Sequence, residues 1–318
     1  MNNRSRVRIG LLLQGSGPGN GTPRVSSLTN EIIDRLVDRD VLVDLIVPES
    51  RPLDIADVRA EHDLYVLKSE TPLALSLAGA LTVAGAAVIN TFRSCNLTRD
   101  KIAATAVLAA AGVPVPPSWA TGRPGLLQPR LAEGPMWFKP RCGRGGAGVR
   151  RVVEPSSLNG QDGLTDVYGL PLPMFVQREV ASDGRDLKVF VAGSHVWAVS
   201  RPFPAHTLQE KTGTLVELAS DVRAAALTCG RALGLELYGV YLLAAEGRFY
   251  VVDVNAFPGY KGATGAPHAL TDYLFRRALH ARNGFDGSAR GASTAAVGKL
   301  LMMISNVAQD LLFRPSVM

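Results

Sequence analysis

Cysteine is scarce in this sequence of 318 residues: Cys95, Cys142 and Cys229 are an odd number without CxxC spacing. That excludes a disulfide framework and a thiolate zinc site, and it fits a reducing compartment, so the expected location is cytoplasmic. Lysine is scarce too, at seven positions (68, 101, 139, 188, 211, 261 and 299), with arginine supplying the rest of the basic charge. A compact ammonium suits phosphate better than a planar fork does, so each lysine is informative. There is no block of Lys/Arg interleaved with aromatics, although the net charge is +6 and the pI about 9.4. The expected partner is therefore a small anionic substrate, a carboxylate or a phosphate, and not nucleic acid. Long hydrophobic runs are also missing. The apolar run in "VRIGLLLQG" is too short for a signal-peptide core. The segment "PLALSLAGALTVAGAAVIN" contains Gly79 and Gly85 and ends in a β-like stretch, so it reads as a helix followed by a strand. A membrane span needs ~20 apolar residues, and none is expected.

What is present describes a folded α/β protein. Hydrophobic residues make up 47% and charged residues 19%, the balance of a chain with a core. Its length suggests two or three compact units at ~100–200 residues each. "RVRIGLLLQG" reads as a buried strand entering a glycine-rich loop at 15–21, and "NEIIDRLVDR" as a helix with Ile32, Ile33, Leu36 and Val37 on one face. "VLVDLIV", "HDLYVLK" and "AAVIN" add strands, the last after an alanine-rich helix, which predicts a parallel sheet. Thr98 is expected to cap "RDKIAATAVLAAAG", and Pro114, Pro116 and Pro117 to form a linker. Next come "PMWFKP" and "GVRRVV" as paired strands, then "PMFVQREV" and "DLKVFVAGSHVWAVSRP". Ser220 is expected to cap "DVRAAALTCGRALG", which Gly234 ends. "LYGVYLLAAEGRFYVVDV" is a hairpin around Gly247, and a tail helix is expected near "KLLMMISNVAQDLL".

Three stretches carry chemistry. In "KPRCGRGGAGVRR", Gly143, Gly145 and Gly148 spell GxGxxG, but a dinucleotide site needs a helix after the loop and this loop returns into a strand. A glycine loop between strands can instead fold over a nucleotide as a flap, with Lys139 reaching the same phosphates. The alternative is a flexible hairpin with a surface lysine. In "VQREV", the side chain of Gln177 and the backbone of Arg178 to Val180 can meet the edge of a purine, whereas Asp186 and Lys188 on one strand face read as an ordinary surface pair. In "FYVVDVNAFPGYKG", Asp253 and Asn255 project from one face just before a Pro-Gly turn. A carboxylate with an amide oxygen is a hard donor set of the type Mg2+ takes, unless the pair only fastens the turn.

The order of these pieces resembles the ATP-grasp superfamily. "RDKIAATAVLAAAGVPVPPSW", "WFKPRCGRGGAGV", "FVQREVASDGRDLKVFVAG", "SRP", "LGLELYGVYLL" and "YVVDVNAFPGY" run in that family's order over roughly residues 85 to 280. The resemblance implies an ATP-grasp fold, an α+β clamp preceded by an N-terminal parallel α/β domain. The implied divisions are 1–97, then 98–282 (flap about 115–175, C-terminal part about 176–282), then a helical tail at 283–318. It implies ATP and Mg2+ as cofactors. Lys101 and Lys139 would hold the phosphates under a flap of Gly143, Arg144, Gly145, Gly146 and Gly148, and Gln177, Arg178, Glu179 and Val180 would form the adenine hinge. Asp186 would take the ribose, Lys188 and Arg201 would face the transferred phosphoryl group, and Asp253 and Asn255 would hold the metal.

The implied activity is a carboxylate–amine ligase resembling those that glutamylate ribosomal proteins, working through an acyl phosphate. The alternatives are a small-molecule kinase resembling the inositol polyphosphate kinases, or an impaired ATP-binding regulator. The acceptor is accordingly an amine or a hydroxyl, and a homodimer is the assembly entertained. Its pocket is expected from Gly15–Gly21, Arg24, Lys68, Arg93, Lys211 and "GYKGATG". One departure stands out: the family reads "GxDLL" where this chain has "GVYLL", so Tyr241 replaces a metal-binding Asp. A three-residue loop, 246–248, would pair Ala245 with Phe249 and set Tyr241 opposite Asp253. A two-residue loop would put Tyr241 on the other face. On the first register the site should hold one Mg2+ firmly and a second weakly or not at all.

Overall fold

Strand β1 (Arg8–Leu12) is buried at four of its five positions, as a parallel strand covered on both faces must be. A computed structural model of the chain describes residues 6–17, 20–143, 146–158, 172–245 and 247–285. After β1, a small ribbon pairs β2 (Gly15–Gly17) with β3 (Asn20–Pro23). Helix α1 (Ser27–Val37) is capped by Ser26, whose hydroxyl accepts from the Thr29 N–H. Then follow β4 (Leu42–Ile46), β5 (Leu64–Leu67), α2 (Pro72–Val83) and β6 (Val88–Ile89). These strands form a parallel sheet in the order β4-β1-β5-β6.

Helix α3 (Phe92–Arg99) is capped by Thr91, and α4 (Lys101–Ala110) by Asp100, whose carboxylate accepts from the N–H groups of Ile102 and Ala103. Thr98 is therefore not a cap. It lies inside α3 with its hydroxyl donating to the Ser94 carbonyl, because Asp100 takes the junction two residues later. A second sheet holds β7 (Ser118–Thr121), β8 (Met136–Pro140), β9 (Arg150–Val152) and β10 (Met174–Arg178) in the order β7-β10-β8-β9, with short helix α5 (Gln128–Leu131) beside it. A third holds β11 (Arg185–Ala192), β12 (His195–Pro202), β13 (Thr214–Leu215), β14 (Leu237–Ala245) and β15 (Arg248–Ala256) in the order β13-β12-β11-β14-β15.

Helix α6 (Leu208–Thr212) opens with a capping box between Thr207 and Glu210. Helix α7 (Ser220–Leu233) ends, as expected, at Gly234 with φ +69°. Its N-cap is Ala219 without a side-chain bond, so Ser220 is the first helical residue and not the cap. Helix α8 (Ala266–Phe285) was not foreseen, and it packs on α1. The expected tail helix and most of residues 283–318 fall outside the described residues.

The parallel sheet and the third sheet share one core. Ile9, Leu11 and Val66 from the first pack in the same cluster as Phe190, Leu237 and Tyr260 and as Leu270 and Leu274 of α8. Each such side chain contributes ~1.5–3 kcal/mol. Asn90, fully buried, adds a polar clasp: its amide donates to the Leu237 carbonyl (2.7 Å) while its oxygen accepts from the N–H groups of Glu236 (2.8 Å) and Leu237 (3.0 Å). Among the described residues, no helix is long and apolar enough to cross a membrane.

The β14–β15 hairpin departs from its expected register. Ala245 pairs with Arg248, leaving two residues in the loop, and Ala244 pairs with Phe249. Tyr241 nevertheless faces Asp253, because Leu242 pairs with Val251 and leaves Val252 as an extra residue. A β-bulge at Val252 thus restores what the shorter loop would have undone.

Candidate active site

The second and third sheets close on a cavity of about 630 Å³. That lies within the ~300–1,000 Å³ typical of ligand pockets. At one end runs the segment after β10. The N–H groups of Arg178 and Glu179 are used, donating to the carbonyls of Pro117 (2.8 Å) and Pro135 (3.0 Å). Glu179 and Val180 line the cavity.

The hinge side chains point elsewhere. Arg178 bonds the carbonyls of Gly134 and Arg130 and stacks on Trp119, and Glu179 takes a two-pronged pair from Arg151. Gln177 is buried, its oxygen accepting from Lys139 Nζ (2.8 Å) and its amide donating to Ser118 Oγ (3.5 Å). Its side chain is therefore committed to positioning a lysine and does not reach for a base.

At the other end, Lys101 and Lys139 converge on Asp253. Lys101, first residue of α4, bonds Asp253 Oδ1 at 3.0 Å. Lys139 on β8 reaches the carbonyl of the bulged Val252 at 3.5 Å, so the bulge aims a backbone oxygen into the site. Burial pushes the Lys139 ammonium down to about 8, Asp253 pulling it up and Lys101 pressing it further down. Asn255 donates to Asp253 Oδ2 (3.2 Å) from the same strand face. Gly143 and Gly146 of the glycine loop line the cavity, and Arg144 and Gly145 lie outside the described residues. Gly148 has φ +70°, and a Cβ there would meet Pro140 Cγ at 2.8 Å.

Between the two ends lies a charged wall. Asp186 and Lys188 do not form the expected surface pair. Asp186 is buried on β11 and held by Arg201 from β12 through two bonds of 2.5 Å, because cross-strand pairing sets 186 against 201. Lys188 instead sits over the Tyr241 ring, 3.8 Å from its centre, with the Arg201 guanidinium 5.9 Å away. Burial brings Lys188 down to about 7, with Arg201 and Lys261 adding to the fall and Asp186 and Asp253 opposing it. Burial also lifts the Tyr241 phenol to about 12, so it is neutral at pH 7 and adds no anion where an Asp would.

A smaller cavity of about 220 Å³ adjoins this one and shares Lys101 and Gly143 with it. Of the residues expected at an acceptor pocket, Lys68 lines it, whereas Arg24, Arg93 and Lys211 line neither cavity. Lys68 also donates to the Phe257 carbonyl (2.5 Å). Sequence reasoning missed Glu70 and Arg99 on its walls. In an arginine-rich chain, nothing marks Arg99 beyond its place just before Asp100-Lys101.

A nucleotide-sized cavity clamped between two antiparallel sheets, beside a parallel α/β unit, is the ATP-grasp fold, and the similarities to known proteins support that superfamily. The family described as "Inositol 1,3,4-trisphosphate 5/6-kinase ATP-grasp domain" matches residues 207–276. The chain is 28% identical over 204 residues to a probable alpha-L-glutamate ligase of Shewanella loihica, a match covering 60% of this chain and 67% of that protein. It spans 62–67% of the length of three relatives so named. In fold it is similar to a RimK-domain ATP-grasp protein of Sphaerobacter thermophilus (TM-score 0.67, 18% identity, 85% of this chain and 100% of that one). It is also similar to the ATP-grasp ligase PsnB complexed with minimal precursor, Mg and ADP (TM-score 0.63, 20% identity, 87% and 99%).

Proposed function

We propose that this protein is an ATP-dependent carboxylate–amine ligase. A carboxylate oxygen of one substrate attacks the γ-phosphorus of ATP, and the bond to ADP breaks to leave an acyl phosphate. A neutral amine then attacks the acyl carbon, the carbon–oxygen bond to phosphate breaks, and the amide, phosphate and a proton are released. The observation that carries this reading is the meeting of two cavities at Lys101 and Gly143, one sized for a nucleotide and one for a small second reactant. The ligase names of its sequence relatives favour it over the kinase, whose family match is confined to residues 207–276.

In this reading the backbone of the segment Arg178 to Val180 runs along the adenine edge. Asp186 keeps lone pairs for the ribose hydroxyls, since Arg201 occupies only part of a carboxylate's roughly four acceptor sites. Lys101 and Lys139 bind phosphate oxygens under the glycine loop. Lys188 and Arg201 face the moving phosphoryl group and offset the charge that develops on it. Among the described residues, no three His, Cys, Asp or Glu side chains gather around a metal. Asp253 and Asn255 nevertheless fit a single Mg2+, because they lie on one strand face in hydrogen-bond contact, Asp253 at the nucleotide cavity and Asn255 at the smaller one beside it, and such an ion is completed by phosphates and water. Bound there, Mg2+ would neutralise phosphate charge. The divisions 1–97, 98–282 and 283–318 and a cytoplasmic location belong to the same proposal.

The test is incubation with ATP and paired pools of carboxylates and amines. Mass spectrometry should find an amide formed in step with ADP and phosphate. A phosphoester product would replace this reading with the kinase.

A further inference from the structure

The end of β15 leads into a turn that few side chains would tolerate. Phe257 and Tyr260 are both aromatic, both buried and both at positive φ, +37° and +48°. A bulky residue rarely adopts such a backbone, and it persists only where the surroundings over-determine it. Two anchors come from the third sheet itself. The Phe257 N–H donates to the Leu237 carbonyl (2.8 Å), and the Tyr260 hydroxyl donates to the Val191 carbonyl (2.6 Å). Phe257 stands two residues after Asn255, so whatever fixes this turn also fixes the end of the strand that carries Asp253 and Asn255.

A third anchor crosses over from the parallel sheet. Lys68 directly follows β5, and its own N–H donates to the Leu12 carbonyl at the end of β1 (3.1 Å), so its backbone is set by two neighbouring strands. Its ammonium donates to the carbonyls of Phe257 (2.5 Å) and Pro258 (3.3 Å) and lies 4.6 Å from the centre of the Phe257 ring. Three contacts thus converge on the two residues where the turn begins. An apolar side chain of the same length could still cover the ring, but it would take this donor from both carbonyls. Lys68 and Asn255 also share the wall of the smaller cavity, whereas no described residue before Lys101 lines the nucleotide cavity.

We propose that Lys68 is a positioning residue for the metal pair: from the parallel sheet it locks the turn at Phe257 and Pro258 and so fixes where β15 presents Asp253 and Asn255. The proposal rests on the reading of those two residues as the Mg2+ pair of an ATP-dependent enzyme. It gives the N-terminal unit a part in a site that none of its described residues lines. Groups that orient metal ligands from behind are typically worth roughly 10–100-fold in metal affinity.

The experiment is calorimetric titration of the full chain with a non-hydrolysable ATP analogue, with and without Mg2+, in wild type, Lys68→Met and Lys68→Arg. Lys68→Met should weaken the Mg2+-loaded analogue tenfold or more while the metal-free analogue stays within twofold. Lys68→Arg, which can still donate to the carbonyls, should recover part of the loss. Removing a positive charge without moving the pair would act in the other sense, weakening the more anionic metal-free analogue at least as much. Amide hydrogen exchange of the nucleotide-free protein should also quicken at residues 255–262 in Lys68→Met and return toward wild type in Lys68→Arg. Equal Mg2+ dependence in wild type and Lys68→Met overturns the proposal, and so does a loss that is the same with and without metal. If Lys68→Met does not fold, Lys68→Gln, which keeps a donor, is titrated instead; it should lose threefold or more with Mg2+ only, and no loss overturns the proposal. Failure of the ligase reading is seen separately: a phosphoester product in the incubation above refutes it whatever these titrations show.

Discussion

Replacing Lys139 by Met should move stability and nucleotide affinity in opposite directions. The side chain is half-buried, bonded to Gln177 Oε1 at 2.8 Å, and burial lowers its ammonium from 10.5 to about 8. At 1.36 kcal/mol per unit, that shift corresponds to an upper bound of about 3 kcal/mol of strain in the free protein. Removing the charge relieves the strain but strips Gln177 of a partner, at a cost of ~1–3 kcal/mol. The expected net change below pH 8 is a gain of about 1 kcal/mol.

The sign of the pH dependence follows from linkage. The folded lysine loses its proton near pH 8 and the unfolded one near 10.5, so between these values the unfolded state binds more protons and wild-type stability rises with pH. The variant lacks this rise, so its advantage is full below pH 8 and shrinks toward pH 10.5. Nucleotide affinity should meanwhile fall ten- to a hundredfold, since a charge-assisted bond is worth ~1.5–3 kcal/mol. Urea unfolding at pH 7 and pH 10, with calorimetric titration of ATP, reads both. A variant less stable at both pH values that binds ATP as wild type does would make Lys139 a structural lysine and refute the reasoning.

Asn90→Ala strands two buried N–H groups and a carbonyl at 236–237, so a loss of about 3 kcal/mol or more is expected, read as a lower urea midpoint. Asp253→Asn should abolish Mg2+-dependent turnover while the circular dichroism spectrum stays native; a melted spectrum would mean that the carboxylate fastens the Pro258-Gly259 turn. Gly148→Ala, with a positive φ and a 2.8 Å approach to Pro140 Cγ, should disturb the loop and raise the KM for ATP more than it lowers Tm. Tyr241→Asp should raise apparent Mg2+ affinity in turnover titrations and, by placing an anion beside Lys188, raise that ammonium's pKa from about 7, which 15N NMR of the lysine nitrogen can follow.

How much of this was legible in the sequence depends on how local each cause is. The parallel strands were readable because a strand buried on both faces leaves a run such as "IGLLL". The end of α7 was readable because Gly234 takes a left-handed φ. The caps at Thr98 and Ser220 were misread where several hydroxyls and carboxylates compete within a few residues and backbone direction decides among them. The facing of Tyr241 and Asp253 was right through a wrong loop length. The bulge at Val252 that rescues it belongs to contacts with a different sheet, through Lys139, and no hairpin rule contains it. Gln177 likewise looked like a base reader because its neighbours on the chain are apolar, whereas its partner Lys139 lies across the ladder. Arg99 could not be seen at all, since its place on the cavity wall is a property of three-dimensional packing.

The substitution at 241 changes the charge logic of the cavity more than its shape. Lys101, Lys139 and Arg201 line the cavity and Lys188 lies against the Tyr241 ring, with Asp186 and Asp253 beside them among the described residues, and Asp186 is already tied to Arg201. An Asp at 241 would bind a cation or hold Lys188 charged. A neutral phenol does neither, and instead offers the ammonium a ring face at 3.8 Å, a contact worth ~0.5–2 kcal/mol. Lys188 is thereby kept near the point where a phosphate arriving beside it restores its full charge, because an adjacent anion favours the protonated form. The energetic cost of burying that ammonium is met when the nucleotide binds and not while the site stands open. On the ligase reading, the side chains can then supply electrostatic stabilisation that the lost carboxylate would have delegated to a second metal ion.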